Sequence, residues 1–331
     1  MTDNNTLLSV QNLKVYFRSG DECARAVDGV SFQVRKNETV CIVGESGCGK
    51  TVSALSILGL VTTPPGEIVD GQIVFAGRNL LEFSEKEMQK IRGNHIAMVF
   101  QEPLTSLNPV FTIGNQISEA VSIHKKLGAE SLHEKCIQLL KNVEISSPEQ
   151  RLEDYPHQLS GGQRQRVMIA MALACGPDLI IADEPTTALD VTVQAQILEL
   201  FGSIQKKQSM SLLYITHDLG VVAAIADRVY VMYAGIIAEQ GNTEQIFRNA
   251  RHPYTQGLLE SLPSLSKRGK RLYSIPGTVP NPAYKPPGCP FHPRCPHKAP
   301  SCYKEHPKMC DYGKGHLARC PILFHDKRHQ T

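Results

Sequence analysis

The stretch GESGCGKT at Gly44–Thr51 decides the fold, and we refer to it as the phosphate loop. It matches the eight-residue pattern, ending in Lys-Thr, whose glycines let backbone N–H groups turn onto phosphate oxygens. It follows the apolar stretch TVCIVG and precedes VSALSILGL, which is the strand–loop–helix order that such a site needs. The residues predicted to contact a nucleotide here are Gly44, Glu45, Ser46, Gly47, Cys48, Gly49, Lys50 and Thr51.

A hydrolytic site needs an acidic element in addition to the phosphate loop, and the sequence contains one. Lys50 is predicted to reach the β- and γ-phosphates and Thr51 to hold Mg²⁺. In LIIADEP an apolar run delivers Asp183, whose carboxylate can hold Mg²⁺ through water, and Glu184 follows directly. An acidic residue at that position can orient and deprotonate an attacking water. The two elements together predict a nucleotide hydrolase.

Composition and length limit the number of domains and the kinds of partner to be expected. A chain of 331 residues suggests one large domain with an appendage, and a net charge of +3 is too small to indicate nucleic acid binding. The start of the chain lacks a signal-peptide pattern, and the longest apolar region, 221–238, is interrupted by Asp227 and Arg228. We therefore expect a cytoplasmic chain with cysteines that are reduced or bound to metal. The basic run 267–271 is interpreted as a solvated linker, with an anionic-lipid contact as the alternative.

Short, nearly continuous apolar runs predict strands that are covered on both faces, and hence an α/β fold with a largely parallel sheet. The predicted strands are 40–43, 73–76, 96–100, 179–182, 212–215 and 229–232. From about 105 to 178 the pattern becomes helical, with Ile113, Ile117 and Val121 on one face. A second apolar face is formed by Leu132, Cys136, Leu139 and Val143. We interpret this region as a helical subdomain inserted into the core.

The signature LSGGQ, at Leu159, Ser160, Gly161, Gly162 and Gln163, is a second glycine-rich phosphate element. It identifies a resemblance to the ATP-binding cassette (ABC) family, which Gln101 in VFQEP, the TALD loop and His217 in YITHD support in the expected order. The resemblance implies a P-loop NTPase (RecA-like) core with an antiparallel β subdomain and the helical insertion. The cassette is assigned to 1–245 and a Cys/Pro-rich extension to 246–331.

The resemblance also implies residue roles. Two cassettes pack head to tail, so the signature, through Ser160 and Gly162, contacts the ATP of the partner cassette. Gln101 senses Mg²⁺ and water, and His217 holds the γ-phosphate and the attacking water. Ala188, Leu189 and Asp190 form the loop that lines the dimer contact. Phe17 is assigned to adenine stacking, with Tyr16 as the competing aromatic residue.

More specific segments resemble the ATPases of dipeptide and oligopeptide importers. They include QEPLTSLNP, ADEPTTALDVTVQAQI, RHPYTQGLL and GCPFHPRCP. This resemblance implies a second, distinct ATPase subunit, two permease subunits and a solute-binding protein, at the cytoplasmic face of a membrane. Nickel, glutathione or another small solute is the alternative substrate. A soluble ABC ATPase acting on DNA or ribosomes is disfavoured, because a long coiled coil and a second cassette are both lacking. A regulatory protein that never hydrolyses ATP conflicts with Glu184 and His217.

Five cysteines lie in the extension, at spacings that do not fit a short zinc knuckle. Thiolates from one loop-rich module can ligate an iron–sulfur cluster, while scattered reduced thiols and zinc remain alternatives. The importer resemblance implies a [4Fe–4S] cluster on Cys289, Cys295, Cys302 and Cys320, with Cys310 spare. His292, His297, His306 and His316 are possible substitute ligands. For Cys48 we expect a depressed thiol pKa and high reactivity, because Lys50 and a helix N-terminus are close.

Overall fold

The structure is a computed structural model that describes residues 5–101, 106–187, 189–262 and 273–322. The basic run 267–271 and Ala188 lie outside the described residues. The chain forms two compact units. The first comprises Met1–Val34, Thr39–Leu81 and Ile215–Thr331, and the second comprises Arg35–Glu38 and Glu82–Tyr214.

The strands differ in length: the first two are long, and most of the others are short. In chain order they are β1 Thr6–Ser19, β2 Glu22–Arg35, β3 Thr39–Val43, β4 Gly66–Phe75, β5 Arg78–Asn79, β6 Ile96–Val99, β7 Leu179–Asp183, β8 Ser211–Thr216, β9 Arg228–Tyr233, β10 Ile236–Asn242, β11 Cys310–Asp311 and β12 Leu317–Ala318. Every residue of β3, β7 and β8 is buried, as expected for strands covered on both faces.

The α-helices fall between these strands. In chain order they are α1 Lys50–Ile57, α2 Glu85–Ile91, α3 Ile113–Ser122, α4 Ala129–Asn142, α5 Pro148–Arg151, α6 Gly161–Ala172, α7 Val191–Gln208, α8 Leu219–Ile225, α9 Thr243–Asn249 and α10 Pro253–Glu260. In the part of the chain that the structure describes, no helix is both long and apolar enough to cross a membrane.

The first unit contains an antiparallel sheet of order β2–β1–β4–β5, in which β1 and β4 pair from Leu8↔Phe75 to Phe17↔Gly66. It also contains β3, which runs parallel to β9. Strand β10 is antiparallel to β9 and to β12, and β12 pairs with β11. The C-terminal extension therefore adds two short strands beside β10.

The second unit combines the parallel pair β6–β7 with most of the helices. Ile113, Ile117 and Val121 on α3 are all fully buried, so the predicted apolar face is confirmed. On and just after α4, Cys136, Leu139 and Val143 are buried, whereas Leu132 is half-buried. The helices α3, α4 and α6 pack on one another through these faces. The expected helical region is thus present, although the domain limits at 105, 178 and 245 remain predictions.

Candidate functional site

The phosphate loop connects the buried strand β3 to the first turn of α1. The Lys50 side chain is buried, and its Nζ donates to the carbonyl oxygens of Gly44 at 2.8 Å and Glu45 at 3.1 Å. The ammonium group therefore lies against the backbone of the loop itself.

Two glycines of this loop have backbone conformations that other residues rarely adopt. Gly47 has φ of +78° and Gly49 has φ of +103°. A Cβ atom at Gly49 would lie 2.4 Å from the Ala26 carbonyl oxygen, whereas a Cβ at Gly47 would meet no atom within 4 Å. Gly49 is thus required both by its dihedral angle and by the close approach of β2, while Gly47 is required by its dihedral angle alone.

The expectation for Cys48 is wrong. The side chain is fully buried, and burial raises the pKa of its thiol. Lys50 and the backbone N–H groups act in the opposite direction, as the sequence suggested, but their effect is smaller than that of desolvation. A thiol that is both buried and protonated is an inert core group, so the structure predicts low reactivity.

The other first-unit candidates are His217 and Phe17. His217 is exposed and directly follows β8, and Asp218 caps α8 by accepting from the Gly220 N–H at 2.8 Å. Tyr16 is engaged within the protein, since its hydroxyl donates to Asp28 at 2.8 Å and the Arg25 guanidinium lies 5.8 Å from its ring centre. Phe17 is half-buried on β1 and remains the predicted adenine contact.

In the second unit the predicted catalytic residues Gln101 and Glu184 come together. Asp183 is the last residue of β7 and is 3 % exposed, and Glu184 follows it in a left-handed conformation with φ of +45°. The Gln101 amide donates to the Glu184 carboxylate at 3.4 Å, and the Thr187 hydroxyl donates to the same oxygen at 3.1 Å. This left-handed backbone conformation is uncommon for a residue with a side chain.

The signature forms the N-terminus of α6. Ser160 is the N-cap, and it exchanges hydrogen bonds with Gln163: its hydroxyl accepts from the Gln163 N–H at 3.3 Å, and its own N–H donates to the Gln163 side chain at 2.9 Å. This capping box leaves the N–H groups of Gly161 and Gly162 at the positive end of the helix dipole. The signature therefore begins a helix whose N-terminus carries partial positive charge, a feature that can bind an anion.

The loop before α7 lies beside the signature. A Cβ at Gly161 would be 3.6 Å from the Leu189 side chain, and one at Gly162 would be 2.7 Å from Val193. Asp190 is the N-cap of α7, and its carboxylate accepts from the N–H groups of Thr192 and Val193 at 3.0 Å. Asp190 thus has a local capping role in addition to its predicted place at a dimer contact.

A cavity of about 300 Å³ in the extension brings the four predicted ligand cysteines together, and we call it the cysteine cavity. Among its lining residues are Cys289, Cys295, Cys302, Cys320, His292, His297 and His306. Burial, with a smaller contribution from the neighbouring thiols, raises the pKa of Cys289 to about 11. Burial also raises the pKa of Cys295.

Cys310 and His316 also belong to the extension, but they lie elsewhere than at the cysteine cavity. Cys310 lies on β11 and is not among the described residues that line the cysteine cavity. His316 Nε2 lies 2.7 Å from Oε1 of the buried Glu239 side chain, and His316 is likewise absent from the described lining. Within the described ranges, no group of three or more His, Cys, Asp or Glu residues is placed to hold a metal ion. The thiols therefore share a cavity without forming a preassembled metal site.

Comparison with known proteins assigns the family. The ABC transporter family model matches residues 27–187, and the model for the oligopeptide/dipeptide transporter C-terminal region matches residues 238–302. The chain is 50% identical to the oligopeptide transport ATP-binding protein AppD of Bacillus subtilis, over 99% of this chain and 100% of that protein. The chain belongs to the ABC transporter ATP-binding proteins of the oligopeptide/dipeptide type. It is also 49% identical to the dipeptide transport ATP-binding protein DppD of Escherichia coli, over 98% of this chain and 99% of the relative.

A comparison with a solved structure confirms that this chain has the cassette fold. It is the dimeric, post-hydrolysis ATP-binding cassette MJ0796 bound to ADP and Pi, with a TM-score of 0.64, 26% identity, and coverage of 72% of this chain and 99% of the other. The predicted P-loop core with mixed α/β sheets is thus confirmed, as is membership of the ABC ATPase family.

Sequence reasoning missed the contacts that join the extension to the phosphate loop. The Glu45 N–H donates to the Tyr254 hydroxyl at 2.9 Å, and the Glu45 carboxylate pairs with Arg294. These partners lie 209 and 249 residues from Glu45 along the chain. The segment RHPYTQGLL, which contains Tyr254, is distinctive in sequence, but no spacing rule connects it to a loop so far away.

Proposed function

We propose that this chain is the ATP-hydrolysing subunit of a membrane ABC importer that powers the uptake of dipeptides or oligopeptides. The observation that carries the proposal is the identity of about half of all residues, from end to end, with AppD and DppD. It is supported by the residues at the predicted hydrolytic positions, which are all of the type that ATP hydrolysis requires.

ATP would bind with its phosphates on the phosphate loop. The loop N–H groups and the N-terminus of α1 offer partial positive charge, and Lys50 adds a full one. Phe17 would stack on adenine. Mg²⁺ would be held by Thr51, Gln101 and, through water, Asp183, where it would neutralise the charge that develops on the phosphate oxygens.

The attack of water would depend on Glu184, Gln101 and His217. Glu184 would accept the proton of the attacking water, and its contacts with Gln101 at 3.4 Å and Thr187 at 3.1 Å support a defined carboxylate orientation. Gln101 would link Mg²⁺ to that water, and His217 would hold the γ-phosphate from an exposed position after β8.

The signature would serve the ATP of a second cassette. Ser160 caps α6, which leaves the N–H groups of Gly161 and Gly162 available to a γ-phosphate. Leu189 and Asp190, with Ala188 beside them, would line the contact between the two cassettes. Binding of ATP would then close the pair and hydrolysis would release it, so that a local phosphate contact becomes a domain motion.

We further propose the subunits that complete the importer. They are a second, distinct ATPase, two transmembrane permeases and a solute-binding protein that delivers the peptide. The chain would be peripheral, at the cytoplasmic face of the membrane. The oligopeptide and dipeptide transport roles in the names of its relatives support a membrane assembly of this kind.

The cysteine cavity is proposed to hold a [4Fe–4S] cluster on Cys289, Cys295, Cys302 and Cys320. The support is that one cavity is lined by all four thiols. Because burial raises the pKa of Cys289 and Cys295, and because the described residues form no preassembled metal site, ligation would require loss of thiol protons and closer approach of the side chains. Iron, sulfide and zinc should be measured in an anaerobic preparation. A protein containing neither metal would reject the cluster and the zinc alternative together.

The transport proposal is tested by solute uptake in source cells whose only copy of this chain carries Glu184→Gln. Uptake of a labelled dipeptide, a longer peptide and Ni²⁺ should be compared with cells that carry the wild-type chain. Loss of peptide uptake alone supports the proposal, and the peptide length affected separates dipeptide from oligopeptide transport. Loss of nickel uptake alone would assign the chain to a nickel importer, and retention of all three activities would contradict a role in these uptake systems.

A further inference from the structure

Arg294 connects the cysteine cavity to the phosphate loop. It lies in the sequence between Cys289 and Cys295, in the short 3₁₀ turn His292–Arg294. Its Nη1 donates to Glu45 Oε2 at 2.7 Å and its Nη2 donates to Glu45 Oε1 at 3.0 Å. The Arg294 side chain is only 5% exposed, so this two-point pair is shielded from water on the arginine side.

The remaining donors of the Arg294 guanidinium are also engaged. Nε donates to the Pro276 carbonyl at 2.8 Å, and Nη1 also lies 3.4 Å from the Tyr233 hydroxyl. The aromatic ring of Phe291 lies 6.0 Å from the guanidinium carbon. Because a planar guanidinium with this many fixed partners has little freedom, contacts in the extension and on β9 hold it in place against the loop.

Glu45, in turn, is held at each of its polar groups. Its N–H donates to the Tyr254 hydroxyl, its carbonyl oxygen accepts from Lys50 at 3.1 Å, and its carboxylate pairs with Arg294. Two of these three partners belong to the C-terminal extension. The second residue of the phosphate loop is therefore positioned by a segment more than two hundred residues further along the chain.

We infer that Arg294 is a positioning residue for ATP binding, which acts through Glu45 by neutralising the carboxylate that Glu45 places next to the phosphate site. The inference rests on the proposed function, because it concerns the same ATP site. It assigns to the extension a task in nucleotide affinity that is separate from any metal in the cysteine cavity.

The charges of Arg294 and Glu45 predict the direction in which ATP affinity changes when each residue is replaced. Without Arg294, the Glu45 carboxylate is an unpaired negative charge in the loop that must receive the negative phosphates of ATP. ATP affinity should therefore fall when Arg294 is replaced, and it should recover when the Glu45 charge is removed as well. A purely structural role for Arg294 would not produce that recovery, because the second substitution restores none of the lost contacts.

The experiment measures equilibrium binding of a trinitrophenyl-ATP analogue to the full-length chain, together with its thermal midpoint. The variants are Arg294→Met, Arg294→Lys and the double variant Arg294→Met/Glu45→Gln. The matched control is Arg319→Met, because Arg319 is a half-buried arginine of the extension whose guanidinium donates to the carbonyl oxygens of Ile237 and Pro307 and not to the phosphate loop. Lys50→Ala should remove binding at the phosphate loop, so the binding signal that it loses is the part that arises from this loop.

We expect Arg294→Met to weaken binding on the order of tenfold, the double variant to recover most of that loss, and Arg294→Lys to lie between. Arg319→Met should bind like wild type at a temperature below its thermal midpoint. Wild-type affinity in Arg294→Met would overturn the inference, as would equal losses in Arg294→Met and Arg319→Met without recovery in the double variant. Absence of Lys50-dependent binding in the wild-type chain would instead contradict the proposed function.

Discussion

The buried carboxylate of Glu239 on β10 lies 2.7 Å from the His316 imidazole, which joins the cassette strand to the end of the extension. The same carboxylate accepts from the N–H groups of Arg251 at 2.7 Å and His252 at 2.8 Å. One side chain with no solvent exposure thus fixes both the turn before α10 and the segment that carries β12. Within the first unit, the extension is thus attached to β10 by a polar cluster as well as by strand pairing.

Replacing Glu239 by Leu should lower the free energy of unfolding by roughly 3–5 kcal/mol, because it removes the partner of the buried His252 N–H, the part-buried Arg251 N–H and the buried His316 ring. Urea denaturation of the full-length chain at pH 7 measures the change. Glu244→Ala is the matched control, since the Glu244–Arg248 pair on α9 is largely exposed and should contribute less than about 1 kcal/mol. Similar stabilities for the two variants would show that the Glu239 cluster is not an anchor.

A pH dependence of stability follows from His252. This residue is fully buried at the N-cap of α10, and burial lowers its pKa to about 4, against a smaller opposing effect of Glu239. The unfolded chain binds the proton near pH 6.5, so the unfolded state holds more protons than the folded state between about pH 6.5 and 4. Stability contributed by this group is therefore present above pH 6.5 and is lost as the pH falls, by about 2 kcal/mol between pH 7 and 5.

The His252→Asn variant isolates this effect. Asparagine keeps an oxygen that can accept from the Tyr254 N–H, as His252 Nδ1 does at 3.1 Å, but it does not titrate. Urea denaturation midpoints at pH 7 and pH 5 should therefore differ less in the variant than in the wild type. Parallel pH profiles for the two proteins would contradict the assignment to His252.

Much of the fold is predictable because its core strands are short apolar runs. All six predicted strands fall within or overlap an observed strand, and β3 and β7 are buried along their whole length. The long strands β1 and β2 escaped prediction because polar residues such as Asn12 and Gln33 interrupt their apolar pattern. Those strands form an antiparallel sheet with exposed positions, for which the continuous-run criterion is not suited.

The local structure of the candidate site was predictable where its pattern is contiguous in sequence. The phosphate loop, the Asp183-Glu184 pair and the signature each carry their own spacing, and the structure gives each the expected strand end or helix start. The Glu45–Arg294 pair was not predictable, because no local pattern links residues 249 positions apart. The pKa of Cys48 was predicted wrongly for a similar reason. The nearby Lys50 is visible in the sequence, but the burial that outweighs its effect on the thiol pKa is not.

Low reactivity of Cys48 is a direct prediction of its burial. In the folded chain, maleimide should modify Cys48 at least about tenfold more slowly than the half-buried Cys23, because the thiolate is both scarce and inaccessible. Peptide mass spectrometry after timed labelling gives both rates in one sample. Labelling in urea should remove the difference, and faster modification of Cys48 than of Cys23 in the folded chain would restore the original expectation of a reactive thiol.

Glu184→Gln should separate ATP binding from ATP hydrolysis. The substitution keeps a side chain of the same size and an oxygen that can accept from Gln101 and Thr187, so the local contacts at 3.4 Å and 3.1 Å need not be lost. It removes the group proposed to take the proton from water, a contribution of about 10²–10⁴-fold in rate. We expect trinitrophenyl-ATP affinity within about threefold of wild type and ATP turnover reduced at least about 100-fold in the assembled importer. Turnover at the wild-type rate would show that another group is the base, and His217→Ala, assayed in the same way, would then be the next variant to examine, because His217 is the other predicted contact of the attacking water.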